Sequence, residues 1–257
     1  DVLVINTESR SMSAEQAATA VAQALTSYCE SLQGEVLVYK KIDSTFRGNP
    51  GAEIAAALAV SGATLALVAG AIPAAGRTTR NGECLVHQRP LLETEFASDP
   101  RTPIISSRIS TIIGLQTALP VYELTLDQVR GGELHACLEA LATKGDGIVV
   151  LDAESDNDLT LIAQASFALD KRPLLVGAAG LANALPVDSY MSPRQALPVL
   201  VVAGSMSEMT RRQVEQAQIQ DRAEVVDICV EALLSPVGEE AVERMVQQAC
   251  DVLERQR

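Results

Sequence analysis

The sequence predicts an α/β fold of mostly parallel sheets flanked by helices, and three observations carry that prediction. Short apolar runs alternate with helical patterns along most of the chain. The interior must be aliphatic, because 47% of the 257 residues are hydrophobic and only 3% aromatic. Ala, Val, Leu and Ile suit parallel strands covered by Ala-rich helices. Third, hydroxyl-bearing start signals open three of the helical stretches.

The apolar runs, each bounded by loop signals, are residues 2–5, 35–39, 65–69, 148–151, 173–176, 199–203 and 224–228. Between them, Ser13 with Gln16 predicts a capping box before an Ala-rich helix to about residue 31. Gly48 and Asn49 predict a tight turn before a helix near Ala52. Ser155 with Asp158 opens a helix through about residue 168, and Thr210 with Gln213 opens another.

Two regions break the rhythm. Residues 70–130 hold few clear elements and many Gly, Pro, Arg and Thr. That is too long for an idle loop, so ligand contacts or an edge hairpin are expected there. Residues 186–198 are polar and Pro-bearing and read as a linker between a unit at 1–187 and one at 198–257. The second is a meagre domain by itself. The chain also starts at Asp1, inside a strand-like run. An incomplete first strand and an incomplete second domain are the expectation.

Charge and cysteine usage exclude several classes. The net charge of -13 argues against nucleic-acid or anionic-membrane partners, since no general basic surface exists. No run reaches membrane-spanning length and no signal peptide is visible, so a cytoplasmic location is expected. Five scattered cysteines and two histidines lack zinc spacing, so reduced thiols and no protein-held metal are expected.

In so acidic a chain the stretch Lys40 to Asn49, directly after the run 35–39, concentrates cations, hydroxyls, an amide and a glycine. Open α/β sheets bind ligands outside the carboxyl ends of their strands. Arg offers a carboxylate two parallel donors and Lys a compact charge. Asp43 is placed to accept a hydrogen bond from a sugar hydroxyl or to take its proton. Equally, the stretch reads as a solvated turn in which Asp43 pairs with Lys41 or Arg47. Arg10 follows the first run and either reaches the same crevice or starts a loop. Gly70 to Thr79 follow the third run, with glycines that permit close backbone approach and Arg77 as a further cation. Glu93, Glu95 and Asp99 offer carboxylates, more often structural than catalytic. Gly204-Ser205 lies between a run and a helix start, where free amides suit an anion. Gly177 to Gly180 has a similar character, which tight strand–helix packing explains as well. No G-x-S-x-G elbow supports Ser205 as a nucleophile, and no G-x-G-x-x-G supports a nicotinamide cofactor.

Taken together, Thr7 to Arg10, Lys40 to Asn49 with Gly51 and Glu53, Pro73 to Thr79, Glu93 to Pro100, Asp152-Ala153, Asp158-Leu159, Val176 to Leu181 and Ala203 to Ser205 resemble the four-carbon acid sugar kinase family. The match runs in order over nearly the whole chain. Phe46 departs from it, because Leu is commoner there. The resemblance implies two α/β domains, substrate-binding then nucleotide-binding, with an active site in the cleft between them. It implies an ATP- and Mg²⁺-dependent kinase that phosphorylates the terminal hydroxyl of a tetronate such as threonate or erythronate. Arg10, Lys41, Ile42, Asp43 and Ser44 would then hold the substrate, with Arg77 beside them, and Gly204 and Ser205 would begin the ATP site. Asp43 is the candidate proton acceptor, unless a carboxylate serves from the family's early Asp-Asp-x-Thr-Gly turn, which nothing here matches. The family's late Gly-rich nucleotide loops are likewise not found before Arg257. The Lys-Ile-Asp-Ser-Thr form resembles threonate and erythronate kinases more than the 3-oxo-tetronate branch. A non-catalytic sugar-acid sensor is the rival reading, and a homodimer is left open.

Overall fold

A computed structural model of the protein describes residues 3–29, 36–99, 102–186, 200–202, 208–220, 223–228, 230–235 and 238–255. The chain divides into two compact units, Asp1–Met191 and Ser192–Arg257.

In the first unit a helical turn at Ser9–Ser11 leads into α1 (Ala14–Cys29). Ser13 and Gln16 form the expected capping box, with both hydrogen bonds at 3.2 Å. The elements β1 (Tyr39–Lys41), α2 (Pro50–Ser61) and β2 (Leu65–Ala69) follow. Pro50 opens α2, where its missing N–H costs nothing. Gly62 closes the helix with a left-handed φ of 69°. Next come β3 (Arg77–Arg80), β4 (Glu83–Val86), β5 (Arg89–Pro90), α3 (Ile109–Gly114) and β6 (Val121–Leu124). The unit finishes with α4 (Leu126–Arg130), α5 (Leu134–Ala142), β7 (Gly147–Leu151), α6 (Asp156–Ala168), β8 (Leu174–Gly177) and α7 (Ala179–Asn183). Ser155 and Asp158 cap α6 as expected.

Five strands form one sheet in the order β1-β8-β2-β7-β6, and every pair in it is parallel. Alternate residues supply two cores, as a period of two requires. Ala66, Val68, Ile148, Val150 and Val176 pack with Val21, Ile54 and Leu58 of α1 and α2. On the opposite face Leu67, Ala69, Val149, Leu151 and Leu175 pack with Leu138, Leu159, Ile162 and Leu181. Burial on both faces explains why these strands are continuous apolar runs.

The connection after β1 therefore goes to one face through α2, and the one after the adjacent β8 goes to the other through α7. A crevice opens at the carboxyl edge where neighbouring connections part. The loop from Ile42 to Asn49 sits there.

Several expectations shift. Residues 3–5 are not a strand; Val4 is 85% exposed and pairs with no strand among the described residues. The strand expected at 35–39 is β1, whose extent is set by its register with β8, Tyr39↔Leu175 to Lys41↔Gly177. Residues 70–130 supply a separate antiparallel sheet, β3-β4-β5, plus the parallel edge strand β6. Its first hairpin turns at Asn81-Gly82, both at positive φ (51° and 74°), the two-residue turn that matches strand twist.

The second unit, as described, holds α8 (Glu208–Ile219), α9 (Val230–Leu233) and α10 (Gly238–Arg255). Residues 200–202 and 224–228, expected as strands, are not; Val201 and Val202 are 78% and 77% exposed and pair with no strand among the described residues. α8 starts at Glu208, so Thr210 lies inside its first turn rather than at its cap. Among the described residues no helix is long and apolar enough to cross a membrane.

Candidate functional site

The Ile42–Asn49 loop is built on a buried polar relay. Glu53, in the first turn of α2 and 7% exposed, accepts from the Ser9 hydroxyl at 2.7 Å and pairs with the Lys40 ammonium at 2.5 Å. Ser9 in turn lies 2.9 Å from the Thr7 hydroxyl. The Asn49 amide donates to the carbonyls of Ser9 and Met12 (3.1 and 2.9 Å). Gln116 ties the same corner together, donating to Gly48 O and accepting from Gly51 N. These contacts carry Arg10 to Gly48, where an added Cβ would lie 3.2 Å from the Arg10 side chain. The distant Thr7–Arg10 and Lys40–Asn49 segments thus form one corner.

At its centre is Asp43. Its Oδ2 accepts from Arg47 Nε at 2.6 Å and from the Thr45 hydroxyl at 3.0 Å. Arg10 Nη2 approaches the same oxygen at 3.4 Å. Burial alone would raise the Asp43 carboxyl, but the Arg47 hydrogen bond and charge, with Thr45 and Arg10, hold it below the usual carboxylate range. Arg47 also donates to Asp99 at 3.0 Å and lies 5.0 Å above the Phe96 ring. Arg77 stands 5.7 Å from that ring and donates to Ala75 O at 2.7 Å.

The other expected residues fall around this point. Lys41 is exposed at the end of β1, its ammonium 2.8 Å from Ile42 O. The Ile42 side chain is buried in the core and its N–H donates to Gly177 O at 2.9 Å, so it fixes the loop instead of facing a ligand. The Ser44 hydroxyl makes no hydrogen bond among the described residues. Gly204 and Ser205 lie outside the described residues. Gly177 ends β8 beside the loop and Ala178 follows it, where the Tyr39 hydroxyl donates to Ala178 O at 2.6 Å. A Cβ on Gly177 would stand 2.6 Å from that hydroxyl oxygen, so the glycine serves close packing. A pocket of about 240 Å³ opens on the Arg10 side, between Ser11, Asn49, Thr102, Ile104 and Gln116. Asp43 is not on its wall.

Sequence reasoning missed three partners here. The family resemblance includes Glu53, Phe96 and Asp99, but residue type and spacing gave no sign that Glu53 holds Ser9 and Lys40, that Phe96 carries two guanidiniums, or that Asp99 holds Arg47. Each depends on at least one contact between residues more than forty apart in the chain, Ser9 with Glu53, Arg47 with Phe96 and Arg47 with Asp99.

The remaining buried acids are structural. Asp152, 1% exposed, accepts from Asn81 N (2.6 Å) and Gly82 N (2.9 Å) and so pins the β3–β4 turn; burial raises its carboxyl. Asp158 receives both arms of Arg130 at 2.7 and 2.8 Å, and that pairing holds its carboxyl far below the usual range. Between its folded and unfolded pKa the unfolded chain binds the extra proton, so stability rises with pH. The Asp158 and Asp43 contributions are complete above about pH 5 and drain away below about pH 4, while Asp152 acts in the opposite sense. The urea midpoint is therefore expected to fall between pH 7 and pH 3. Arg130→Gln should make that fall shallower; an unchanged slope would separate Asp158 from the acid response. Burial pushes the Cys84 thiol up to about 12, which leaves it unreactive.

The description "Sugar-binding N-terminal domain" fits residues 1–185 and "Nucleotide-binding C-terminal domain" fits residues 200–257. The chain belongs to the four-carbon acid sugar kinase family. Within that family it is 60% identical over 257 residues to a D-threonate kinase of Salmonella typhimurium, covering 100% of this chain and 60% of the relative. A D-erythronate kinase of Heliobacterium modesticaldum is 34% identical over 261 residues, covering 99% of this chain and 59% of the relative. The chain thus spans about 60% of the length of the curated relatives it matches. A crystal structure of a domain of unknown function from Bordetella bronchiseptica, with bound citrate and as a domain-swapped dimer, superposes with a TM-score of 0.63 at 34% identity. That match covers 86% of this chain and 53% of the other.

Proposed function

We propose that this four-carbon acid sugar kinase family member transfers the γ-phosphoryl group of ATP to the terminal hydroxyl of D-threonate, with D-erythronate as the next substrate to test. The observation that carries the reading is the 60% identity to a D-threonate kinase over all 257 residues. The same identity favours threonate over the 3-oxo-tetronate branch. A cation-rich loop at the parting of the β1 and β8 connections supports it, since it suits a small polyhydroxylated anion.

In this reading Arg10 and Lys41 meet the acid end of the substrate, with Arg77 adding to the local positive charge. Asp43 and Ser44 face its hydroxyls, and Ile42 holds the loop from beneath. Gly204 and Ser205 contribute to the ATP site. Phosphoryl transfer needs mostly positioning and charge neutralisation. Among the described residues no three acidic, Cys or His side chains converge to hold a metal. Mg²⁺ would accompany ATP and neutralise its phosphates during transfer. A cytoplasmic location would fit ATP as donor, and light scattering would show whether the protein is a homodimer.

The test is ATP-coupled phosphorylation of D-threonate and D-erythronate by the protein as it occurs in the cell, alongside Arg10→Ala and Asp43→Asn. Turnover by the wild type is expected, with the threonate KM of Arg10→Ala raised roughly 10- to 100-fold, the cost of losing a charge-assisted hydrogen bond. Threonate binding without any turnover would mark a sensor and overturn the kinase reading. Wild-type kinetics in both variants would overturn the site.

A further inference from the structure

We propose that Arg47 joins Arg10 in clamping the carboxylate of the sugar acid, with Asp43 holding the two guanidiniums in position. This deepens the kinase reading and rests on it for the identity of the ligand. Arg47 is fixed from three directions: Nε on Asp43 at 2.6 Å, Nη1 on Asp99 at 3.0 Å, and the Phe96 ring 5.0 Å from its guanidinium carbon. Its Nη2 makes no hydrogen bond among the described residues. Arg10 reaches only the shared Asp43 oxygen, at 3.4 Å, and its side chain is 55% exposed.

Two guanidiniums therefore converge on a single carboxylate oxygen. Their mutual repulsion at such range is on the order of a few kcal/mol at a partly buried site. Asp43 and Asp99 offset it on the Arg47 side, while Arg10, 55% exposed and held only at 3.4 Å from Asp43, keeps its fork open to a further anion. Charge supports the same conclusion: Arg10 and Arg47 both meet Asp43, and Arg77 shares the Phe96 ring with Arg47, so three guanidiniums gather at one corner of a chain of net charge -13. A planar fork already held by two acids and an aromatic face loses little freedom when it accepts a ligand. Lysine carries its three donors on one nitrogen and lacks the planar fork that spans Asp43 and Asp99 and stacks on Phe96. In this arrangement Asp43 is a positioning residue. A carboxylate with two cations on one oxygen is a poor proton acceptor.

The experiment uses the whole protein with Arg47→Gln and Arg47→Lys, comparing kcat/KM for D-threonate and for threitol, which keeps the hydroxyls and lacks the carboxylate. Arg47→Gln is expected to raise the threonate KM roughly 10- to 100-fold and to lower the threonate-to-threitol ratio by a similar factor. Arg47→Lys should fall between. Equal losses on both substrates, leaving the ratio unchanged, would assign Arg47 to loop structure alone and overturn the proposal. An unchanged threonate KM would do the same. Should the wild type phosphorylate no tetronate, the kinase reading fails by itself. Calorimetry with D-threonate then decides Arg47: weaker binding in Arg47→Gln supports the clamp, and equal binding refutes it.

Discussion

Glu53→Ala is expected to destabilise the first unit by about 3 kcal/mol, because removing one partner of a buried pair strands the other charge. The Lys40 and Glu53 side chains are 16% and 9% exposed and 2.5 Å apart, so the remaining ammonium would have little access to water. Ser9 would lose its buried acceptor as well. For a unit of this size the change corresponds to a melting-temperature drop of roughly 6–12 °C. Replacing both partners, as in Lys40→Met with Glu53→Leu, should recover much of the loss, since apolar groups of similar volume often substitute well for a buried ion pair. Urea denaturation of the two variants provides the check. A cost below about 1 kcal/mol for Glu53→Ala would show that the pair behaves like a surface salt bridge. The same substitution should weaken threonate binding, because Ser9 and Asn49 hold the backbone on which Arg10 rides.

Phe46→Ala is the second large effect, about 3–5 kcal/mol for emptying an aromatic site in a core. Phe46 is 1% exposed although it sits mid-loop, and its φ is 56°. Such a φ is strained for a bulky residue and persists where packing enforces it. The enforcing neighbour is Gly70: a Cβ there would lie 2.5 Å from the Phe46 ring. Gly70→Ala alone is expected to cost about 1–3 kcal/mol by overpacking. In the Phe46→Ala background it should cost almost nothing, because the methyl enters the vacated space. A double-mutant cycle by urea denaturation therefore predicts coupling of at least about 1 kcal/mol. Additive losses would mean that the ring shifts freely and does not anchor the loop.

Much of the fold was legible. The run at residues 65–69 is β2 without adjustment, since a strand buried on both faces is apolar throughout. Ser13 and Ser155 mark helix starts because a cap and its third-residue partner are local chemistry. Local chemistry has limits. Residues 3–5 and 200–202 have the composition of strands but pair with no strand among the described residues, and a strand's backbone groups need a partner. β6 was missed because its burial is partial and its pattern weak.

The candidate site divides along the same line. The stretch from Lys40 to Asn49 was recognisable because so many cations stand together in an acidic chain, and its position after a buried run placed it at a sheet edge. Residue type also singled out Arg10 and Arg77. Type and spacing could not tell whether Asp43 serves as base, ligand contact or ion-pair partner. Nor could they say that Ile42 turns into the core.

By itself, then, the sequence determined the parallel α/β class, the helix starts and the cation-rich loop, because each rests on interactions within a few residues. Tertiary structure decided the insertion of β8 between β1 and β2, which creates the crevice, and the convergence of Arg10, Arg47 and Asp43. It also joined Glu53 to Ser9 and Phe96 to two arginines. These depend on contacts between segments far apart in the chain, and such contacts leave no periodicity or spacing to read.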